Sequence, residues 1–193
     1  MKVTPTTVIN YKAISVRLHS TNFDISISSA YSPGDHSDHK DRKAFWAKLR
    51  NYHAKQPSRT YQVIGIDANG HIGRDAPMPH VGNYGATKWT NNGLDLAEMT
   101  SSLQLTATNT IQSCADTTWT WQSRDGRART RVDYILIPTK GLAKVIQNTG
   151  TVMWANMIRQ GSAIDHRAVA LFSKYSRMAK PTQKHRAALE QCP

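Results

Sequence analysis

Ala13-Ile14-Ser15-Val16-Arg17-Leu18-His19 alternates apolar and polar residues, and Phe23 to Ala30 alternates again through Ile25 and Ile27. A period of two places one set of side chains on a single buried face. The two runs therefore predict strands joined as a hairpin at Ser20-Thr21-Asn22. Pro33-Gly34 ends the second strand. Asp35 to Lys55 predicts a loop and then a helix, with Phe45, Leu49 and Tyr52 recurring on one stripe and Ser37 or Asp38 as its cap. Arg59 to Asp67 predicts the next strand. His71 to Thr90, with Pro77, Pro79, Gly82 and Gly85, predicts an ordered surface loop. Gly93 to Leu103 carries a second helical stripe through Leu96, Met99 and Leu103, and Leu105 to Thr110 a short strand. Thr117 to Gln122 and Arg129 to Ile137 flank a turn at Arg124-Asp125-Gly126 and predict another hairpin. Val145 to Trp154 leans towards a strand, and Arg167 to Phe172 is the last one. No internal repeat or linker divides this pattern. It predicts one domain over 1–173, followed by a basic, aperiodic and disordered tail over 174–193.

Several strand ends carry chemistry. Asp67 and Asn69 stand two residues apart at a strand terminus, so their side chains share a face, and Gly70 and Gly73 let the backbone turn away. A carboxylate beside an amide can draw a proton from a water and hold its orientation; the same pair can also simply close a turn on its own backbone. Asp133 sits within the apolar run Val132 to Ile137, where an ionised acid costs several kcal/mol unless it is paired. His166 is the obvious partner, because a carboxylate bonded to imidazole orients the ring and raises its proton affinity. Asp165-His166-Arg167 opens the last strand with groups suited to a metal and to phosphate charge. Asp35-His36-Ser37-Asp38-His39 has metal-ligand residue types, but reads better as a polar loop capping the helix after it.

Taken in order, Val63-Ile64-Gly65-Ile66-Asp67-Ala68-Asn69, Arg131-Val132-Asp133-Tyr134 and Asp165-His166 resemble the endonuclease/exonuclease/phosphatase superfamily. Ala30-Tyr31-Ser32-Pro33, Trp89 to Leu94, Thr108-Asn109-Thr110 and Thr118-Trp119-Thr120-Trp121 extend the resemblance over roughly residues 8 to 173. The spacing is most similar to the endonuclease domains of non-LTR retrotransposons. The resemblance implies an α/β (α+β) fold, a four-layer αββα sandwich of two mixed β-sheets. It implies hydrolysis of nucleic-acid phosphodiesters with Mg²⁺, or Mn²⁺ in its place. Asp67 would activate water and Asn69 position it; Asp133 would orient His166; His166 and Tyr31 would stabilise phosphoryl charge; Asp165 would hold the metal. Asn91, Trp121, Arg131 and Arg167 would contact substrate. The family also has an asparagine on its first strand and a metal-binding glutamate soon after, both upstream of the segment matched here. Ile164 stands where a serine is usual. The expectation is therefore a fold lacking its first strands. Its alternatives are an impaired nucleic-acid-binding remnant, or a phosphatase or lipid phosphodiesterase of the same superfamily.

Charge sharpens the choice of partner. Lysine and arginine number 25 against 13 acids, a net of +12, and 39% of residues are hydrophobic. That balance excludes an extended acidic chain and supports a polyanion as partner, most simply nucleic acid and by resemblance DNA. It suggests no obligate protein partner. No run approaches a membrane span, and Met1 to Pro5 lack the apolar core of a secretory leader. Cys114 and Cys192 lack CxxC spacing and read as free thiols. Together these predict an intracellular protein, with a nuclear site of action suspected.

Overall fold

The structure, a computed structural model, describes residues 1–74, 78–111, 119–140, 146–156 and 165–173. Cys114, Cys192, Ile164, the Thr117-Thr118 end of the expected hairpin and the tail over 174–193 lie outside the described residues.

A mixed sheet of seven strands forms the frame. Its strands are β1 (Lys2–Val3), β2 (Thr7–Asn10), β3 (Ala13–His19), β4 (Asp24–Tyr31), β5 (Tyr61–Asp67), β6 (Leu105–Ala107) and β9 (Asp133–Pro138). They run in the order β1-β3-β4-β5-β9-β6, with β2 also paired to β3. β4 and β5 are parallel, joined across α1 (His39–Ala54), while β9 runs antiparallel to both β5 and β6. The second helix, α2 (Asn91–Leu103), precedes β6. Asp38 caps α1 by accepting the Lys40 N–H at 2.7 Å, and Thr90 caps α2 through the Gly93 N–H.

Strand pleating divides the residues between two faces. Ile64 and Ile66 of β5, and Tyr134 and Leu136 of β9, point towards the helices and pack with Phe45, Trp46 and Leu49 of α1 and Leu96 and Met99 of α2. Full burial of each such side chain stabilises the fold by about 1.5–3 kcal/mol. Polar contacts also bridge the two helices. The Trp46 Nε1–H donates to Asn92 Oδ1 at 3.0 Å, and Arg42 and Lys43 both pair with the buried Asp95. On the opposite face Ile14 and Ile27 remain 47% and 44% exposed.

Two further strand pairs complete the α/β arrangement. β7 (Trp121–Gln122) pairs with β8 (Arg129–Thr130), and β10 (Ile146–Asn156) with β11 (Arg167–Ser173). A bridge between Trp121 and His166 joins the two pairs, and β11 approaches β9.

Three details depart from the sequence pattern. β1 and β2 extend the sheet beyond the first expected strand. The strand expected over Leu105 to Thr110 stops at Ala107 and becomes a 3₁₀ turn over Thr108–Thr110. There the Thr108 and Thr110 hydroxyls bond the Ile135 and Ala107 carbonyls, so side chains take over from the ladder. The run from Arg129 to Ile137 breaks at Arg131-Val132, and its second half leaves the hairpin to become β9. Thr120 Oγ1 accepts the Val132 and Asp133 N–H groups, each at 3.0 Å, and satisfies the backbone at the break. Among the described residues no helix is long and apolar enough to cross a membrane.

Candidate active site

The parallel register of β4 with β5 sets Tyr31 opposite Asp67, and the antiparallel register of β5 with β9 sets Asp67 opposite Asp133. Three strand ends thus carry Tyr31, Asp67 and Asp133 in one row. Their neighbours Ala30, Ile66 and Tyr134 are buried against the helices. The row itself points to the other face by the two-residue period.

His166 joins this row from β11. The Trp121 bridge places it so that Nδ1 lies 3.1 Å from Asp133 Oδ2 and Nε2 lies 4.0 Å from Asp67 Oδ2. The hydrogen bond with Asp133 raises the imidazole pKa above its ordinary value; partial burial opposes it, and the charges of Asp133, Asp67 and Asp165 add to it. Burial raises the Asp67 carboxyl pKa, partly offset by the Asn69 N–H that Asp67 Oδ1 accepts at 2.8 Å.

The loop after β5 is held by specific bonds. Asn69 adopts φ 45°, and its amide donates to the Ser32 carbonyl at 2.8 Å. The buried Tyr134 hydroxyl accepts the Ile72 N–H at 3.0 Å and lies 3.0 Å from the Arg131 carbonyl. Gly93 lies against the His71 carbonyl with no room for a Cβ. Asn92 donates to the Pro33 carbonyl at 2.8 Å, tying α2 to the loop after β4.

A cavity of about 440 Å³ opens beside the row, lined by residues including His36, Asn69, His71, Trp121, Thr130 and His166. His71 Nδ1 and Thr130 Oγ1 are 2.7 Å apart across its wall. Among the described residues, Asp67, Asp133 and His166 bring three ligand atoms within 4.8 Å of one another. Two carboxylates and a neutral imidazole are ligands suited to a divalent cation; the protonated imidazole that Asp133 favours leaves ligation to the carboxylates.

The remaining expected residues differ in how they stand to the row. Asp165 is exposed beside His166, and its carbonyl accepts the Gln122 N–H at 2.7 Å. Tyr31 is 51% exposed, with the Lys12 ammonium 4.8 Å from its ring centroid. Trp121 lines the cavity. Asn91 is exposed on the first turn of α2, one position before the buried Asn92. Arg131 is 3% exposed, and its guanidinium donates to the Tyr84 and Asn109 carbonyls, so it anchors a loop instead of facing the cavity. Arg167 stacks on Trp119. Of the metal-type residues in the 35–39 loop, Asp35 accepts the Asn92 N–H at 2.8 Å and Asp38 caps α1. His36 alone of that loop's histidines reaches the cavity lining. Ser32, Asn92 and Thr120 lie within stretches that carry the resemblance, but neither periodicity nor residue type marks the supporting role of each.

No protein-family model matches the chain. Craniofacial development protein 2 of Bos taurus is 27% identical over 128 residues, 66% of this chain and 22% of the relative. The chain therefore spans less than a quarter of the length of that curated relative. The endonuclease domain of TRAS1, a telomere-specific non-LTR retrotransposon, superposes with a TM-score of 0.62 at 16% identity, covering 90% of this chain and 69% of that one. The 3′ phosphatase NExo from Neisseria, solved with a product DNA hairpin, gives 0.59 at 14% identity over 85% of this chain and 65% of that one. An endonuclease/exonuclease/phosphatase family protein from Leptotrichia buccalis C-1013-b gives 0.54 at 15% identity over 84% and 54% of the two chains. With the row of strand-end acids and its histidine already in place, these likenesses give the chain the fold of the endonuclease/exonuclease/phosphatase proteins.

Proposed function

We propose that the chain is a metal-dependent phosphodiesterase domain acting on nucleic acid, of the endonuclease kind found in non-LTR retrotransposons. The observation that carries this reading is the pairing of His166 with Asp133 and its approach to Asp67 at the mouth of a cavity. The likeness to the TRAS1 domain supports the retrotransposon kinship, and the DNA hairpin bound by NExo supports DNA as substrate. The +12 net charge supports a polyanionic partner independently of either.

Asp67 takes a proton from an attacking water, helped by burial that raises its basicity. Asn69, its amide fixed on Ser32, holds that water in line with phosphorus. The water oxygen forms the new P–O bond as the bond to the leaving oxygen breaks. His166, kept protonated by Asp133, stabilises the charge on the phosphoryl oxygens, and Tyr31 at the end of the row supplies a further hydroxyl. Asp165 would hold the divalent ion, whose charge would neutralise that of the phosphoryl oxygens.

Nicking of supercoiled plasmid in Mg²⁺ or Mn²⁺ tests this. The protein should nick, and Asp67→Ala and His166→Ala should each lose at least roughly 10²-fold. Binding without nicking in either metal would favour the alternative, a nucleic-acid-binding module. Nicking that persists in both variants would remove the residue roles.

A further inference from the structure

Trp119, leading into β7, carries two guanidinium groups. Arg167 Cζ lies 3.4 Å from the indole ring centroid and Arg129 Cζ lies 4.9 Å away. Each contact is favourable, because a cation is attracted to the face of the ring. Together they bring two like charges onto one side chain. Arg129 Nε donates to Gln122 Oε1 at 3.0 Å, while Arg167 Nη1 is buried with no hydrogen-bond partner among the described residues. Among the described residues neither guanidinium meets a carboxylate. A buried, unmatched guanidinium donor costs free energy unless an acceptor arrives from outside.

The cluster also sits beside the catalytic row. Arg167 follows His166 directly, and its N–H donates to the Thr120 carbonyl at 2.7 Å, between Trp119 and the cavity-lining Trp121. The β7–β8 turn adds Arg124 and Arg127, both exposed. Planar guanidinium forks match the oxygens of a phosphodiester, and stacking on an indole presents their edges outward.

We infer that Trp119, Arg129 and Arg167 form a clamp for one phosphodiester of a nucleic-acid strand, adjacent to the phosphodiester that reaches His166. The clamp rests on the nucleic-acid reading above, and adds to it where the strand runs past the row of acids.

The test is equilibrium binding of a labelled DNA duplex without divalent metal, followed across salt concentration. Arg129→Gln/Arg167→Gln should reduce the slope of log K against log salt by about 1.8, two contacts at about 0.9 each. Single neutral methylphosphonates placed along one strand should then reveal one position that costs the unmodified protein roughly tenfold in affinity and costs the double variant nothing further. Arg167→Lys keeps the charge but loses the fork and its stacking. It should retain the slope and lose the position-specific effect, which a misfolded variant would not do. An unchanged slope in the double variant, or no position coupled to these residues, overturns the clamp and leaves the proposed function standing. Absence of salt-dependent binding by the unmodified protein overturns the nucleic-acid reading, and the clamp falls with it.

Discussion

His166 and Asp133 meet at 3.1 Å between Nδ1 and Oδ2, although 33 residues separate them in the chain. The contact joins the residue that precedes β11 to the start of β9 and favours the protonated imidazole. Its stabilising contribution is present below the unfolded imidazole pKa and is lost as pH rises through the folded one. Asp133→Asn should therefore lower the His166 pKa, read by NMR titration of the ring. The alkaline limb of the activity profile should move to lower pH with it, and activity should fall by roughly 10²-fold. An unmoved imidazole titration would disprove the coupling.

Asp67 predicts the opposite of the usual mutational outcome. Burial raises its carboxyl pKa, so ionisation is less favourable in the folded chain than in the unfolded one. The folded state loses stability as pH rises through that raised pKa. Asp67→Asn keeps an acceptor for the Asn69 N–H and removes the buried charge. Thermal unfolding should show a higher Tm than the unmodified protein at pH 7, a gap that closes below the ordinary aspartate range, while hydrolysis is lost. A lower Tm at pH 7 would mean that the carboxylate is stabilised by its surroundings.

Much of this arrangement was legible in the residues. The alternation in Ala13–His19 and in Phe23 to Ala30 marks strands, and β3 and β4 fall there, but the buried set is the polar one: Ser15, Ser26 and Ser28 turn inwards while Ile14 and Ile27 stay exposed. Asp133 announced a need for a partner by standing in an apolar run, and His166 meets it. Other features depend on contacts that no local pattern encodes. The resemblance sets Arg131 against substrate, yet its guanidinium is taken up by the Tyr84 and Asn109 carbonyls of distant loops. Asn92 was hidden behind Asn91, because only the docking of α2 on α1 decides which amide turns inward. Lys2–Val3 and Thr7–Asn10 are too short and too exposed for alternation to mark them as strands.

His53 predicts an acid-sensitive fold. It is 1% exposed, with Nδ1 2.8 Å from Gln62 Oε1 and Nε2 without a partner among the described residues. Burial holds its pKa down at about 4. In the unfolded chain the ring takes a proton near the ordinary value of about 6.5. Stability should therefore fall as pH drops through the window from about 6.5 to about 4, by a total on the order of 3 kcal/mol from this group. Urea unfolding of His53→Gln, run at pH 7 and at pH 4, should show a smaller difference between the two conditions than the unmodified protein. Equal differences would place the acid sensitivity elsewhere.

Gly93 ties the second helix to the catalytic loop by having no side chain. A Cβ there would overlap the His71 carbonyl, and the nearby Gly70 would place its own 2.5 Å from Asn92 Cβ. Both obstacles are backbone or packed side chain, so neither can swing aside. Gly93→Ala must push α2 away from the segment that begins at Asp67. The helix gains about 1 kcal/mol of intrinsic propensity from the change, but the overlap costs about 1–3 kcal/mol or more. Net destabilisation is expected, with a larger loss of activity than of stability, because Asn69 is fixed by the same loop and small misplacement of reacting groups can cost about 10²-fold. Urea midpoints beside nicking rates would measure the two effects together. A variant that is more stable and fully active would show that the loop and helix can separate without moving Asn69, and that the close approach at Gly93 does not position the site.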